Sequence, residues 1–288
     1  MSGRFETAPL VYVTAKLSLS PLNLTQDQLA QIQQGLLGLE LVHFEKSVAT
    51  QIDINGETGI VEAEVKKSSY VRHAFMSRDK SRALILDQNS FEYRVTKYTK
   101  YREFIEEFLR CIEVVSKLVE ISGMRSLKEC QLSYVDVVVP IGDRSLKDYF
   151  KSPDAILPLA HVENSSDELQ FGQNQAIRLV DLQTRVNIMV EQLPANHGVN
   201  KFMPEQMGED DDAFVMPLTI LPHVREYKSE RGHYALLLTQ AAALLSGELV
   251  GDHDIKECFR KLHVHVKDSF EAAINRDVCD EDWRYVAE

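Results

Sequence analysis

The chain has 288 residues, 44% hydrophobic and 26% charged, with a formal net charge of -12. That apolar content can fill a large core and excludes disorder over most of the length, and the acidic balance argues against general nucleic-acid affinity. The opening MSGRFETAPL has no apolar stretch suited to a signal peptide, and no run of about 18 apolar residues occurs. A cytoplasmic protein without a membrane span is expected. The cysteines Cys111, Cys130, Cys258 and Cys279 form no CxxC pair and no zinc spacing. They read as reduced thiols, Cys111 and Cys258 as small buried hydrophobes.

The first strand is an alternation of Val11, Val13, Ala15, Leu17 and Leu19 with Tyr12, Thr14, Lys16 and Ser18. Period two predicts one buried and one wet face, with Pro21 ending the strand. Thr25 and Gln28 have capping-box spacing ahead of a helix with an apolar stripe of Leu29, Ile32 and Leu36, stopped by Gly35 and Gly38. Strands are predicted over 39–54, 59–66, 70–78, 82–88 and 90–98. The polar breaks between them, Asn55-Gly56, Ser68-Ser69, Asp79-Lys80 and Asn89, are too short for parallel crossovers and predict an antiparallel meander. From 99 to 121, Tyr101, Phe104, Ile105, Phe108, Ile112, Val115 and Val119 recur at helical spacing before Gly123.

The order then recurs. A strand over Leu132–Val139 ends at Pro140, a short helix covers 145–150, and a Pro-broken loop runs 152–160. Strands follow at 168–180, 184–193 and 213–221, and helices at 231–249 and 253–275 close the chain. The segment 194–212 reads as a mobile loop ending in Glu209, Asp210, Asp211 and Asp212. This order predicts an α+β protein, antiparallel sheets with long amphipathic helices packed on them, in two related-looking halves, 1–125 and 126–288.

Four segments carry a resemblance. They are Pro9-Leu10-Val11, the hairpins HAFMSRDKSRALILDQNSFEYRVTKYTKYREFIEEF, the strand QLSYVDVVVP and the ending LHVHVKDSFEAAIN. Together they resemble a sporadically distributed bacterial protein family of similar length and unknown function. The chain departs from that pattern at Asp136, where Asn is usual, and at Leu218-Thr219-Ile220-Leu221, where an acidic Asp-x-Asp strand is usual. The resemblance implies a two-part α+β fold and a binding role, in a setting of defence or toxin-type neighbouring genes.

Chemical motifs are sparse. The glycines form neither GxGxxG nor GxxxxGK[ST], and no GxSxG occurs. His263 and His265 sit in a predicted helix, where i and i+2 point about 200° apart, so they do not converge on one ion. His253 and Glu257 share a helical face as a weaker metal pair; the ordinary reading makes His263 a cap on the core. No cofactor, metal or catalytic residue is assigned. Asp136 stands out in an apolar strand, on the face of Leu132, Tyr134 and Val138; hydrogen bonding to a core arginine is the expectation, and a pocket around a perturbed carboxyl would favour an enzyme instead.

Residues 66–100 hold nine Lys/Arg against three acids, interleaved with aromatics. Arg72, Arg78, Arg82, Tyr93, Arg94 and Lys97 are the candidate binding residues there. Aromatics and bases sharing one exposed face would suit single-stranded nucleic acid or a nucleotide. Period two sets Tyr93 and Arg94 on opposite faces, which favours a simpler reading, with aromatics toward the helix and bases toward water. The expected function is therefore non-enzymatic binding of a protein partner, antitoxin-, immunity- or chaperone-like, through sheet edges or grooves between sheet and helix. Open edge strands also make self-association an expectation.

Overall fold

The computed structural model describes residues 3–21, 24–55, 64–118, 127–152, 171–207, 214–230, 232–245 and 252–287. Eleven strands and five α-helices follow in chain order: β1 (Gly3–Phe5), β2 (Leu10–Leu19), α1 (Gln26–Leu37), β3 (Leu41–Asn55), β4 (Glu64–Ser77), β5 (Arg82–Leu86), β6 (Ser90–Val95), α2 (Tyr101–Leu118), β7 (Leu127–Val138), β8 (Gly172–Leu179), β9 (Thr184–Pro194), α3 (Pro222–Glu226), β10 (His233–Leu244), α4 (Asp252–Ala273), α5 (Arg276–Asp282) and β11 (Tyr285–Ala287).

Nine strands form one antiparallel sheet in the order β3-β4-β5-β6-β2-β7-β10-β9-β8, and β1 pairs with β11 beside it. The predicted meander from β3 to β6 is present. Its turn at Asp79-Lys80 places Lys80 at φ 54, and the Asp79 carboxylate accepts from the Ser77 and Ser81 hydroxyls, both at 2.8 Å. This is the local satisfaction that makes Asp a turn residue. Thr25 forms the predicted capping box, with Gln28 N–H donating to its Oγ1 at 3.2 Å and its own N–H donating to Gln28 Oε1 at 2.9 Å. Leu29, Ile32 and Leu36 are buried below it. Gly38 caps this helix, whereas Gly35 lies inside it.

Both faces of the sheet are covered. One carries the helices: Phe104, Phe108 and Ile112 of α2 and Phe259, Leu262 and Val266 of α4 close over Val13, Leu17, Phe91 and Leu132. On the other face, Phe214, Met216 and Val224, from irregular chain and α3, close over Val135, Val137, Leu236 and Leu238. Two expectations fail for this reason. β2 has no wet face, since Tyr12 and Thr14 are buried as well as Val13 and Ala15. The helix predicted over 231–249 is instead the central strand β10, paired with β7 and β9. Its run Tyr234-Ala235-Leu236-Leu237-Leu238 is buried on both sides of the sheet, which erases the period of two.

Three smaller corrections follow. Ser68-Ser69 makes no turn, because β4 runs unbroken through it. The strand expected over 213–221 is irregular chain in its described part, leading into α3. The chain ends not in two long helices but in α4, the short α5 and β11. Asn55 closes β3, and Gly56, Val119, Gly123, most of the 152–160 loop and Glu209–Asp212 are expectations that lie outside the described residues. Among the described residues, no helix is long and apolar enough to cross a membrane.

Candidate functional site

The six candidate binding residues fall on different parts of the molecule. Tyr93 lies under α2, 1% exposed, and its hydroxyl donates to Glu107 Oε2 at 2.7 Å. Arg82 donates to the other oxygen of Glu107 at 2.6 Å and to Glu40 at 3.1 Å. Arg94 is buried on the opposite face of the sheet, 2.8 Å from Glu92. Burial raises the Glu92 carboxyl, but the charge and hydrogen bond of Arg94 outweigh this and leave it below its usual range. Arg72 lies over the Phe214 ring on that same face. Lys97 reaches Asp79 at 2.7 Å, and Arg78 is exposed at the same turn. The structure thus gathers Arg82 with Tyr93, and Arg72 with Arg94, without joining the two pairs.

The side chains that do converge surround Asp136. Tyr134 and Asp136 are two apart on β7 and point to the helix-covered face. Thr239 of β10 is directly opposite Tyr134, and Leu10 of β2 is opposite Asp136. A bulge between Leu10 and Tyr12 turns these two residues to opposite faces. Leu10 therefore lines the Asp136 side, while Tyr12 packs with Val135 on the other. Above, His263, Val266, Lys267 and Phe270 form one face of α4 at i, i+3, i+4 and i+7. Tyr98, just before α2, and Phe5 of β1 complete the walls. Phe5 is held by edge contact with Trp283, centroids 5.4 Å apart.

These residues line an open cavity of about 180 Å³, almost wholly apolar in surface. Its polar groups are few and convergent. Tyr134 Oη is hydrogen-bonded to His263 Nδ1 at 3.1 Å and lies 3.4 Å from Tyr98 Oη. The Thr239 hydroxyl is buried with no hydrogen-bond partner among the described residues. Asp136 is 4% exposed, and among the described residues no hydrogen bond or ion pair reaches its carboxyl. Among the described residues, the expected core arginine is absent from the cavity lining, which corrects that reading.

Burial alone pushes the Asp136 carboxyl up to about 8. Burial, helped by the charge of Lys267, pushes the His263 imidazole down to about 4. Burial also raises the Tyr98 hydroxyl to about 12. At neutral pH the cavity therefore holds a protonated carboxyl, a neutral imidazole and two phenols. His263 has the expected place at the edge of the core, and its ring stacks on Tyr101. No group of three or more His, Cys, Asp and Glu suited to a metal occurs among the described residues.

Asp136 was legible in advance as a carboxyl in an apolar strand. Thr239 was not, because its segment reads as helix; Phe5 and Phe270 gave no signal beyond hydrophobicity. A second, wider groove of about 760 Å³ lies on the opposite face between Tyr12, Arg94, Lys201, Met203 and Met216. Its charged groups are already paired, Arg94 with Glu92 and Lys201 with Glu191. Comparison of the chain with family models, curated proteins and solved structures gives no match.

Proposed function

We propose that this is a non-enzymatic binding protein whose recognition site is the cavity between the sheet and α4. The observation that carries this reading is the Asp136 carboxyl, buried at an apolar cavity with no partner among the described residues. Burying a polar group without a hydrogen bond costs stability, so a site that keeps one is explained by an occupant that satisfies it. The pocket and perturbed carboxyl also meet the condition set for an enzyme. Binding is preferred because the cavity offers one proton-donating acid and no second carboxylate, serine or cysteine to act with it. The test is titration with a small neutral aromatic, benzyl alcohol, followed by NMR of the surrounding residues. Saturable shifts that vanish in Val266→Trp, which fills the chamber, support the reading; no shift in the parent protein rejects it.

A second reading is recognition of a protein partner. It is favoured by the edge strand β8 and its turn, where Ile177, Leu179 and Leu182 are exposed. An edge with no further strand among the described residues, carrying apolar side chains, suits strand addition. Co-purification and mass spectrometry from the native host test it; recovery of the lone chain at every salt concentration counts against a stable partner. The nucleic-acid alternative would draw on basic groups most of which are already engaged with acids or rings.

The same reading takes the chain as two related halves, 1–125 and 126–288, and places it with the sporadic bacterial family that its segments resemble. The strand order supports the halves: β2 pairs with β6 and β7 with β10, the first and last large strands of each stretch, and β2 pairs with β7 between them.

A further inference from the structure

We infer that the Asp136 cavity takes a small organic cation, an amine carrying one ring or a short branched apolar group. This rests on the binding reading above and names its ligand class. Three observations carry it. The floor is a carboxyl that meets no cation among the described residues: the basic groups on the cavity lining are His263, engaged with Tyr134 and Tyr101, and Lys267, 3.9 Å from Glu271. The walls are aromatic. Tyr98 and Tyr134 meet edge to face with centroids 5.7 Å apart, and Phe5 and Phe270 stand beside them. Faces of this kind attract a cation through their quadrupoles, and more strongly out of water. Thr239 then supplies a buried hydroxyl, without another partner among the described residues, to accept an ammonium N–H.

Size limits the occupant. An apolar cavity of about 150 Å³ admits benzene, so the 180 Å³ here admits a benzylamine-sized molecule and little more. The chemistry balances without a co-reactant. Asp136 is protonated in the empty site at neutral pH. The amine arrives as an ammonium ion, the carboxyl proton leaves to solvent, and the resulting carboxylate pairs with the cation. Tyr98, Tyr134, His263 and Lys267 are the titratable groups that face Asp136 from the surrounding elements. The tyrosines stay protonated and His263 stays neutral at that pH. The released proton therefore belongs to Asp136.

The experiment is isothermal titration calorimetry of the full chain at pH 7 with benzylamine, benzyl alcohol and benzoate, repeated in buffers of different ionisation enthalpy. Benzylamine is expected to bind about tenfold or more tighter than benzyl alcohol, with release of up to about one proton per ligand. Asp136→Asn is expected to remove that preference and the proton release while keeping benzyl alcohol binding. Val266→Trp is expected to abolish both. Equal binding of benzylamine and benzyl alcohol, tighter binding of benzoate, or an Asn variant that retains the preference overturns the cation assignment while leaving the cavity as a binding site. Failure of all three probes overturns the cavity reading itself. Should Asp136→Asn not fold, proton release by the parent protein decides the assignment alone.

Discussion

The ring of Tyr101 lies parallel on the imidazole of His263, centroids 3.9 Å apart and planes within 2°. This stack ties the first turn of α2 to the middle of α4, over the Asp136 cavity. The Tyr101 hydroxyl is buried without a hydrogen-bond partner among the described residues, so the residue contributes through its ring. Tyr101→Phe is expected to leave stability unchanged or raise it by up to about 1 kcal/mol, since a buried unsatisfied hydroxyl is removed at constant shape. Tyr101→Ala is expected to cost about 2–4 kcal/mol. Urea denaturation of both variants checks the pair; a larger loss in the Phe variant than in the Ala variant contradicts it.

On the far side of α2, Glu107 accepts from Arg82 and from the Tyr93 hydroxyl. Glu107→Ala leaves a buried phenol unpaired and a partly buried guanidinium with Glu40 alone, and about 1–3 kcal/mol of stability is expected to be lost. Glu107→Gln keeps an acceptor and is expected to lose less. Thermal unfolding separates them; an alanine variant as stable as the parent would show the cluster to be energetically idle.

The cavity also sets the pH dependence of stability. Asp136 is raised from 3.8 to about 8 in the folded chain, so between those values the folded state holds a proton that the unfolded state releases. Its contribution is present in full below about 4 and is lost as pH rises through about 8, at a slope of about 1.4 kcal/mol per pH unit. His263 is lowered from 6.5 to about 4, so the unfolded state binds the extra proton, and that contribution grows as pH rises from about 4 to 6.5. The two slopes oppose each other below 6.5, and Asp136 acts alone above it. Stability is expected to fall between pH 6.5 and 8 in the parent protein and to stay flat in Asp136→Asn. An identical fall in both variants removes Asp136 as the cause.

Cys258 on α4 is half-buried beside the buried Cys130 of β7. The hydrogen bond from Cys130 holds Cys258 below the usual thiol range, against the effect of burial. Burial pushes Cys111 and Cys279 up to about 12. Iodoacetamide at neutral pH is expected to label Cys258 first, and Cys130→Ala to slow that labelling. Peptide mapping reads the order directly; Cys111 or Cys279 reacting first would refute it.

What could be read from the sequence divides along a physical line. Elements with one buried face kept their period, as in the Leu29-Ile32-Leu36 stripe of α1 and the Phe104–Val115 face of α2, and local chemistry marked their ends at Thr25 and Asp79-Lys80. β10 lost its period because irregular chain covers the second face of the sheet, and nothing in 195–227 announces a covering layer. The cavity was half legible. Asp136 declared itself by polarity, but its neighbours Thr239, Phe270 and Phe5 arrive from β10, α4 and β1 through contacts distant in sequence. The pairing of β1 with β11 joins the two ends of the described chain and has no local signal.

Thr239 gives the sharpest test, because stability and binding should respond to it in opposite directions. Its hydroxyl is fully buried, directly opposite Tyr134, and has no partner among the described residues. Replacing it by a methyl group of nearly the same shape removes a desolvated donor and acceptor at little packing cost. Thr239→Val is therefore expected to stabilise the empty protein by about 1 kcal/mol. If the hydroxyl serves an occupant of the Asp136 cavity, the same variant should bind benzylamine less tightly than the parent does. Measured side by side, a gain in unfolding free energy with a loss of affinity marks a group kept for recognition. A loss of stability would instead mean that the hydroxyl is satisfied within the fold, and the site would lose one of its polar contacts.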